Sequence, residues 1–276
     1  LSDRDSHAMS SSHVTLGSLV GHAKQIGLLT RAIGADRVGG AYLFAGVAGL
    51  GKKTIAAAFA AALNCLASHD DACGVCASCR RAADGNHPDI AFIRPDGATL
   101  RIAQIRELQR LISLKPHEGR YKVFVVTDAE KMRAEAANAL LKTLEEPPGS
   151  GVLILTTRSI DAMLPTIRSR CQALRFLPVP VDDAVAGLVA RGVDADRARI
   201  LAIRSRGRVG SAIAMLGQEA PPAEGAPSPI GDSRPMDAFR LAAEWQADPG
   251  RLEALLSWYH DLLLLCTDPS APVEHP

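Results

Sequence analysis

The sequence has 276 residues, 47% of them apolar, so it can bury more than one hydrophobic core, and two or three domains are expected. Its 31 basic and 30 acidic residues nearly cancel, which argues against a strong overall field for nucleic acid or an anionic membrane. The longest apolar runs, such as residues 55–63, fall short of the ~20 residues that span a bilayer. We therefore expect a cytoplasmic protein with no membrane partner.

From the amino terminus, residues 1–12 are polar and are expected to be a tag remnant before a native start at Met9. Short apolar runs at 41–45, 90–93, 123–127 and 152–157 then alternate with helical patterns at 52–66, 102–114 and 130–146. This alternation predicts an α/β domain over residues 13–178, with a doubly wound parallel sheet. Ligands of such domains bind at the carboxyl ends of the strands.

The stretch "GVAGLGKKT" follows the first predicted strand and opens a helix, which is the context of a phosphate-binding loop. Its backbone N–H groups and the helix amino terminus can cradle phosphates, and its lysine can reach the terminal ones. The residues predicted to form this cradle are Gly46, Gly49, Gly51 and Lys52.

The magnesium side of this loop departs from the pattern. Lys53 stands where a Ser or Thr normally binds magnesium, and Thr54 comes one residue late. After the third strand, Asp128 is placed to hold magnesium through water, but Ala129 follows where a catalytic Glu is usual and Glu130 is shifted. Both departures weaken hydrolysis, so binding of ATP and magnesium is doubtful.

Four cysteines lie close together in a polar context. Their spacing, Cys65-x7-Cys73-x2-Cys76-x2-Cys79, predicts a structural Zn²⁺ site inserted over residues 65–79. Four sulfur ligands leave no open position for catalysis, and unpaired thiols suit a reducing compartment.

Beyond the α/β domain, residues 179–220 indicate a small helical lid domain. Residues 221–235 contain five prolines and two glycines, which predicts a linker. Residues 236–276 are helical and apolar, and they need a partner surface or further helices.

Four features together resemble the bacterial clamp loader, an AAA+ assembly of DNA polymerase III. They are the loop, the cysteine spacing, "NALLKTLEEPP" at 138–148 and "LPTIRSRC" at 164–171. The resemblance implies that "LVGH" at 19–22 lies against adenine and that Thr157 senses the terminal phosphate. It also implies that Arg170 reaches into a neighbouring subunit's nucleotide site, and that residues 236–276 are part of a helical collar domain.

Three departures resemble the delta-prime branch of the family more than the gamma/tau motor: Lys53, Ala129, and Gly210 where the motor has a nucleotide-sensing arginine. The resemblance then implies a stator with little ATPase activity. Its partners would be gamma/tau and delta subunits in a hetero-pentamer that loads the sliding clamp onto primed DNA. Two alternatives stay open: a motor ATPase in which Thr54 and Glu130 take over the missing roles, and a zinc-bearing nucleic-acid module.

Overall fold

A computed structural model describes residues 14–217 of the chain. The predicted linker at 221–235 and the predicted collar helices at 236–276 lie outside the described residues, as do residues 1–12.

The centre of the described part is a five-stranded sheet in which every pair of neighbouring strands is parallel. The strands are β1 (Ala41–Ala45), β2 (Ile90–Ile93), β3 (Lys122–Val126), β4 (Gly151–Thr157) and β5 (Gln172–Arg175). Their order is β2-β3-β4-β1-β5, with β1 between β4 and β5. The predicted doubly wound α/β architecture is confirmed. From β1 the chain crosses to the edge strand β2, returns through β3 and β4 to one side of β1, and then adds β5 on the other side.

Helices cover both faces of this sheet, as the continuous apolar strands require. They are α1 (Ala23–Gly34), α2 (Lys52–Leu63), α3 (Ala77–Ala83), α4 (Ile102–Ile112), α5 (Ala134–Glu145) and α6 (Pro165–Arg168). One buried cluster joins the sheet to α1, α2 and α3, and a second joins it to α4, α5 and α6. The three central strands β1, β3 and β4 are therefore buried on both sides, and the carboxyl ends of the strands form the edge that carries the loop.

All three predicted helices have different bounds in the structure. The helix predicted over 102–114 ends at Ile112. The helix predicted over 52–66 ends at Leu63, because the side chain of Asn64 bonds the backbone of Tyr121 through both its amide group and its oxygen. The helix predicted over 130–146 begins only at Ala134. Asp128 adopts a left-handed conformation with φ of 49°, and a single 3₁₀ turn precedes the helix.

Three further helices, which we call the lid, follow β5: α7 (Val181–Val189), α8 (Ala195–Arg204) and α9 (Val209–Gly217). Buried apolar side chains such as Leu188, Leu201 and Ala212 form a cluster of their own among these helices. The first turn of α9 lies against the phosphate-binding loop, so the lid takes part in the geometry of the candidate site.

Candidate nucleotide and zinc sites

The phosphate-binding loop connects β1 to α2 and adopts backbone conformations that favour glycine. Gly49 and Gly51 have φ of 82° and 84°, and Gly51 is the residue that caps α2. The ammonium of Lys52 donates to the carbonyl of Gly46 at 2.5 Å and to that of Val47 at 2.7 Å. The loop thus has the glycine conformations of a phosphate cradle, while its lysine is bound to the loop's own backbone.

Charged side chains of both signs surround the loop. Burial lowers the pKa of Lys53, and the guanidinium of Arg94 lowers it further, against the opposing effect of Asp128. Burial also lowers the pKa of Lys52, opposed by Glu130 and Asp128. The structure therefore brings Lys53 and Asp128 together at the loop, so an ammonium group and a carboxylate share the region where a magnesium ion would need oxygen ligands.

The segment after β3 carries two residues that the sequence analysis considered for catalysis, Ala129 and Glu130. Ala129 is buried in the core, because the left-handed conformation of Asp128 turns the chain inward. The carboxylate of Glu130 is close enough to Lys52 to raise the pKa of its ammonium against the effect of burial. One of its oxygens, Oε1, accepts from the backbone N–H of Arg158 at 3.3 Å, and Oε2 is buried without a hydrogen-bond partner in the structure described.

Thr157 ends β4 beside the loop, in the place the sequence predicted. The N–H of Gly46 donates to its carbonyl at 3.1 Å, which ties the loop to the sheet. The Thr157 hydroxyl donates to the carbonyl of Ser159 at 2.9 Å, and the residue is buried. Thr157 is therefore next to the loop, although its hydroxyl proton is donated to Ser159 and not toward the loop.

Arg170 lies two residues after the end of α6, shortly before β5. Its guanidinium forms an ion pair with Glu145 at 2.6 Å and donates to the carbonyl of Thr166 at 3.0 Å. About a third of the side chain is exposed (35%), so part of the guanidinium is accessible to a neighbouring molecule. This accessibility is what a residue acting on another subunit requires.

The four cysteines predicted to bind metal come together in the structure. Their sulfur atoms lie within 4.8 Å of one another, and those of Cys73 and Cys79 are 4.0 Å apart. Zn–S bonds of about 2.3 Å in a tetrahedron place sulfur atoms about 3.8 Å apart. The ligand set Cys65, Cys73, Cys76 and Cys79 therefore fits a four-sulfur zinc site.

Backbone N–H groups point at these sulfur atoms, as they do where thiolates bind a metal. The sulfur of Cys73 accepts from the N–H of Cys76 at 3.3 Å, and that of Cys76 accepts from Cys79 at 3.4 Å. Burial opposes ionisation of Cys76, but the N–H donors of Cys79 and Leu66 outweigh it and lower its pKa to about 6. At Cys76 this favours the thiolate, the form that binds zinc, whereas burial raises the pKa of Cys79.

The segment that carries the cysteines, residues 65–79, is attached to the amino-terminal part of the chain through Asp71. Its carboxylate accepts from the backbone N–H groups of Leu16 and Gly17, both at 2.9 Å. Nothing in the sequence pattern pointed to Asp71, because its partners lie more than fifty residues away.

Ser78, at the end of the cysteine segment, and His87 form a contact that resembles part of a hydrolytic triad, but its hydrogen bonds exclude that role. The Nδ1 atom of His87 accepts from the N–H of Asp89, so Nε2 carries the proton of the neutral ring and donates to the Ser78 hydroxyl at 3.0 Å. Burial lowers the pKa of His87, which favours this neutral form. The Ser78 proton goes to the carbonyl of Asn64, so the imidazole does not accept it as a general base would.

Comparison with known proteins settles the family. The family model described as "DNA polymerase III, delta subunit" matches residues 21–180, more than half of the chain. The chain belongs to this family.

Among relatives of this DNA polymerase III family, the delta' subunit of Bacillus subtilis is 39% identical over 175 residues, covering 63% of this chain and 53% of that protein. The delta' subunit of Pseudomonas aeruginosa is 39% identical over 164 residues, covering 58% and 50%. The tau subunit of Bacillus subtilis is 36% identical over 162 residues, covering 58% and 28%. The chain spans about half the length of the delta' relatives it matches.

A solved structure of similar fold is the RuvB Holliday junction branch migration motor of Thermotoga maritima. The similarity has a TM-score of 0.51 at 18% identity and covers 72% of this chain and 61% of that one. This likeness supports the AAA+ fold of the chain. Within residues 14–217, no helix combines the length and apolar character needed to cross a bilayer.

Proposed function

We propose that the chain is the delta-prime, or stator, subunit of a bacterial DNA polymerase III clamp loader. In this role it joins gamma/tau and delta subunits in a cytoplasmic hetero-pentamer and helps to load the sliding clamp onto primed DNA. The match of residues 21–180 to the delta subunit family carries this proposal, and the two delta' relatives at 39% identity support it.

The proposed subunit contributes little ATP hydrolysis of its own. Lys53 supports this, because an ammonium offers no lone pair to magnesium and lies near Asp128, the carboxylate expected to hold that ion. We also propose that the four cysteines hold one structural Zn²⁺, whose charge would keep all four sulfur atoms in the thiolate form.

The proposed catalytic contribution is made in trans by Arg170. A guanidinium is always charged and its N–H groups match phosphate oxygens, which suits stabilisation of charge during phosphoryl transfer. The ion pair with Glu145 and the bond to Thr166 hold the side chain on its own subunit, and its exposed part remains for a neighbour.

This role is tested by Arg170→Ala in a reconstituted clamp loader. An arginine finger is worth about 10³–10⁵ in rate at the site it serves, so the neighbouring site's share of the clamp- and DNA-stimulated ATPase is expected to disappear. Arg170→Lys keeps the charge but loses the planar fork, and it is expected to restore little activity.

Arg168→Ala is the matched control, because Arg168, the last residue of α6, is two residues away and pairs with Asp161 at 3.2 Å. We expect near-normal turnover from this control. If the Arg170→Ala complex assembles and its stimulated ATPase and clamp loading both stay at the unmutated level, then Arg170 is only a surface ion pair.

A gamma/tau-like motor ATPase is the second candidate, and two observations favour it. Tau of Bacillus subtilis is 36% identical over the matched region, and the buried Oε2 of Glu130 has no hydrogen-bond partner in the described structure. A carboxylate in that state near Lys52 could orient a water molecule. Dependence of ATP turnover on Glu130 separates this candidate from the stator.

A further inference from the structure

The first turn of α9 rests on the backbone of the phosphate-binding loop. The N–H of Ser211 donates to the carbonyl of Gly49 at 3.0 Å. A Cβ atom on Gly210 would lie 2.7 Å from that carbonyl oxygen and 3.0 Å from the backbone nitrogen of Gly51. Glycine at position 210 is therefore what permits this contact, and the neighbouring atoms are backbone atoms that cannot move aside cheaply.

A second close contact joins the lid to the amino-terminal segment, residues 19–22, for which the family resemblance implies a place against adenine. Gly187 of α7 packs so tightly on the side chain of Val20 that a Cβ atom there would overlap it. In addition, the guanidinium of Arg191 donates to the carbonyl of Ser18 at 2.9 Å. The lid is thus held to the α/β domain at two separate places, one near the loop and one near residues 19–22.

Four carbonyl groups of the loop accept hydrogen bonds from other parts of the protein or from the loop's own lysine. Lys52 donates to Gly46 and Val47, as described above. The Nε2 atom of His22 donates to the carbonyl of Leu50 at 3.1 Å, and Ser211 supplies the donor for Gly49. The loop is therefore bonded on several sides to the protein itself, and binding a polyphosphate would require Lys52 to release its two carbonyl partners.

We infer that Gly210 of α9, against the loop, and Gly187 of α7, against Val20, lock the lid onto the α/β domain and that this closed lid excludes nucleoside triphosphates. The charges around the loop otherwise suit a polyphosphate, because Arg94 and Arg158 lie near Lys52 and Lys53. A ligand that binds only the open form has its apparent affinity reduced by the fraction of molecules that are open. Closure of the lid, in addition to the substitution at Lys53, then sets the affinity of this chain for nucleotide.

The test is the binding of a fluorescent ATP analogue to Gly210→Ala, with and without magnesium. The added methyl group separates α9 from the loop, so we expect binding about tenfold tighter or more, present even without magnesium. Gly217→Ala is the matched control, because it lies at the other end of the same helix and a Cβ there would meet nothing within 4 Å. This control is expected to bind like the unmutated chain.

Amide hydrogen exchange at Ser211 reports the lock directly. In the unmutated chain we expect this amide to be protected well above an exposed first-turn amide, and in Gly210→Ala we expect that protection to fall. An exposed-level exchange rate in the unmutated chain would overturn the lock, and this measurement holds even if Gly210→Ala fails to fold.

Unchanged affinity in a folded Gly210→Ala whose Ser211 amide exchanges fast would also overturn the inference. The inference would also be overturned if Lys53→Thr alone bound the ATP analogue tightly and in a magnesium-dependent way while the Ser211 amide stayed protected. Nucleotide would then be excluded by the chemistry of the loop and not by the lid. The inference is independent of Arg170, so its failure would leave the proposed role in trans intact.

Discussion

Asp89 is a buried carboxylate that joins two loops beneath the cysteine segment. It accepts from the N–H groups of His117 at 2.7 Å and of Glu118 and Gly119 at 2.9 Å, and from the ammonium of Lys122 at 3.3 Å. Burial would raise its pKa, but these donors outweigh burial and lower the pKa to about 2. The ionised form is therefore the one that stabilises the fold.

The pH dependence of stability follows from this depressed pKa. An unfolded Asp has a pKa near ~3.9, so the stabilisation is fully present above that pH and is lost as the pH falls toward 2. This difference between the folded and unfolded pKa values of Asp89 corresponds to about 2.5 kcal/mol of stability. Urea unfolding of the unmutated chain is expected to show this loss between about pH 5 and about pH 2, the range set by the unfolded and folded pKa values of Asp89.

Asp89→Asn is expected to destabilise the chain by about 3 kcal/mol at neutral pH, because Lys122 and the three N–H groups lose their charged partner. Between about pH 5 and about pH 2, the same variant is expected to lose less stability than the unmutated chain does. Asp84→Asn, at an exposed position nearby, is the control and should change stability by less than about 0.5 kcal/mol. Equal stability of the two variants would show that the Asp89 network contributes nothing.

At the scale of elements, the strands could be predicted well and the segment ends could not. β1 and β2 have the predicted bounds, because short continuous apolar runs mark strands of a covered parallel sheet, although β1 is fully buried and the edge strand β2 only half-buried. The predicted start of α5 was wrong, because the left-handed Asp128 and the 3₁₀ turn after it leave no trace in the spacing of apolar residues. Local patterns report which face is buried, whereas element ends depend on backbone conformation and distant partners.

The candidate sites show the same division. The four cysteines could be assigned from spacing alone, because a metal site needs ligands at fixed intervals along a tight turn. The contact of Ser211 with Gly49 could not, since the two residues lie far apart in sequence and neither belongs to a binding motif that includes the other. The close packing at Gly210 became visible only in the structure.

The cysteine segment is expected to hold one zinc ion per chain, measured by elemental analysis of reduced protein. Removing the metal with a chelator, or introducing Cys73→Ser, should speed amide exchange across residues 65–80 by about tenfold or more while the sheet stays folded. The backbone of this segment relies on bonds to sulfur, so it loosens when the thiolates lose their shared cation.

Cys171→Ser serves as the control for this experiment, because Cys171 is a free cysteine outside the cluster and burial raises its pKa to about 12. Its zinc content should equal that of the unmutated chain. Absence of zinc from carefully reduced, unmutated protein would contradict the assignment, and so would full zinc content in Cys73→Ser with unchanged exchange.

At the scale of the whole molecule, the described residues form an α/β domain and a lid that contact each other at two places. Gly210 and Gly187 lie at these contacts. The phosphate-binding loop is bonded both to the lid, through Ser211, and to the amino-terminal segment, through His22. A nucleotide-driven motor needs its lid to move when ligand binds. The close contacts oppose such motion, which agrees with the proposed role as a stator.

The isolated chain is therefore expected to show no ATP hydrolysis that depends on Lys52. Two obstacles act together: Lys52 is bonded to the carbonyls of Gly46 and Val47, and Lys53 stands in place of an oxygen ligand for magnesium. Phosphate release measured with saturating ATP and magnesium should be the same for the unmutated chain and for Lys52→Ala. The contrary result is equally clear. If turnover falls with Lys52→Ala and again with Glu130→Gln, then the carboxylate beside the loop is catalytic and the chain is a motor subunit.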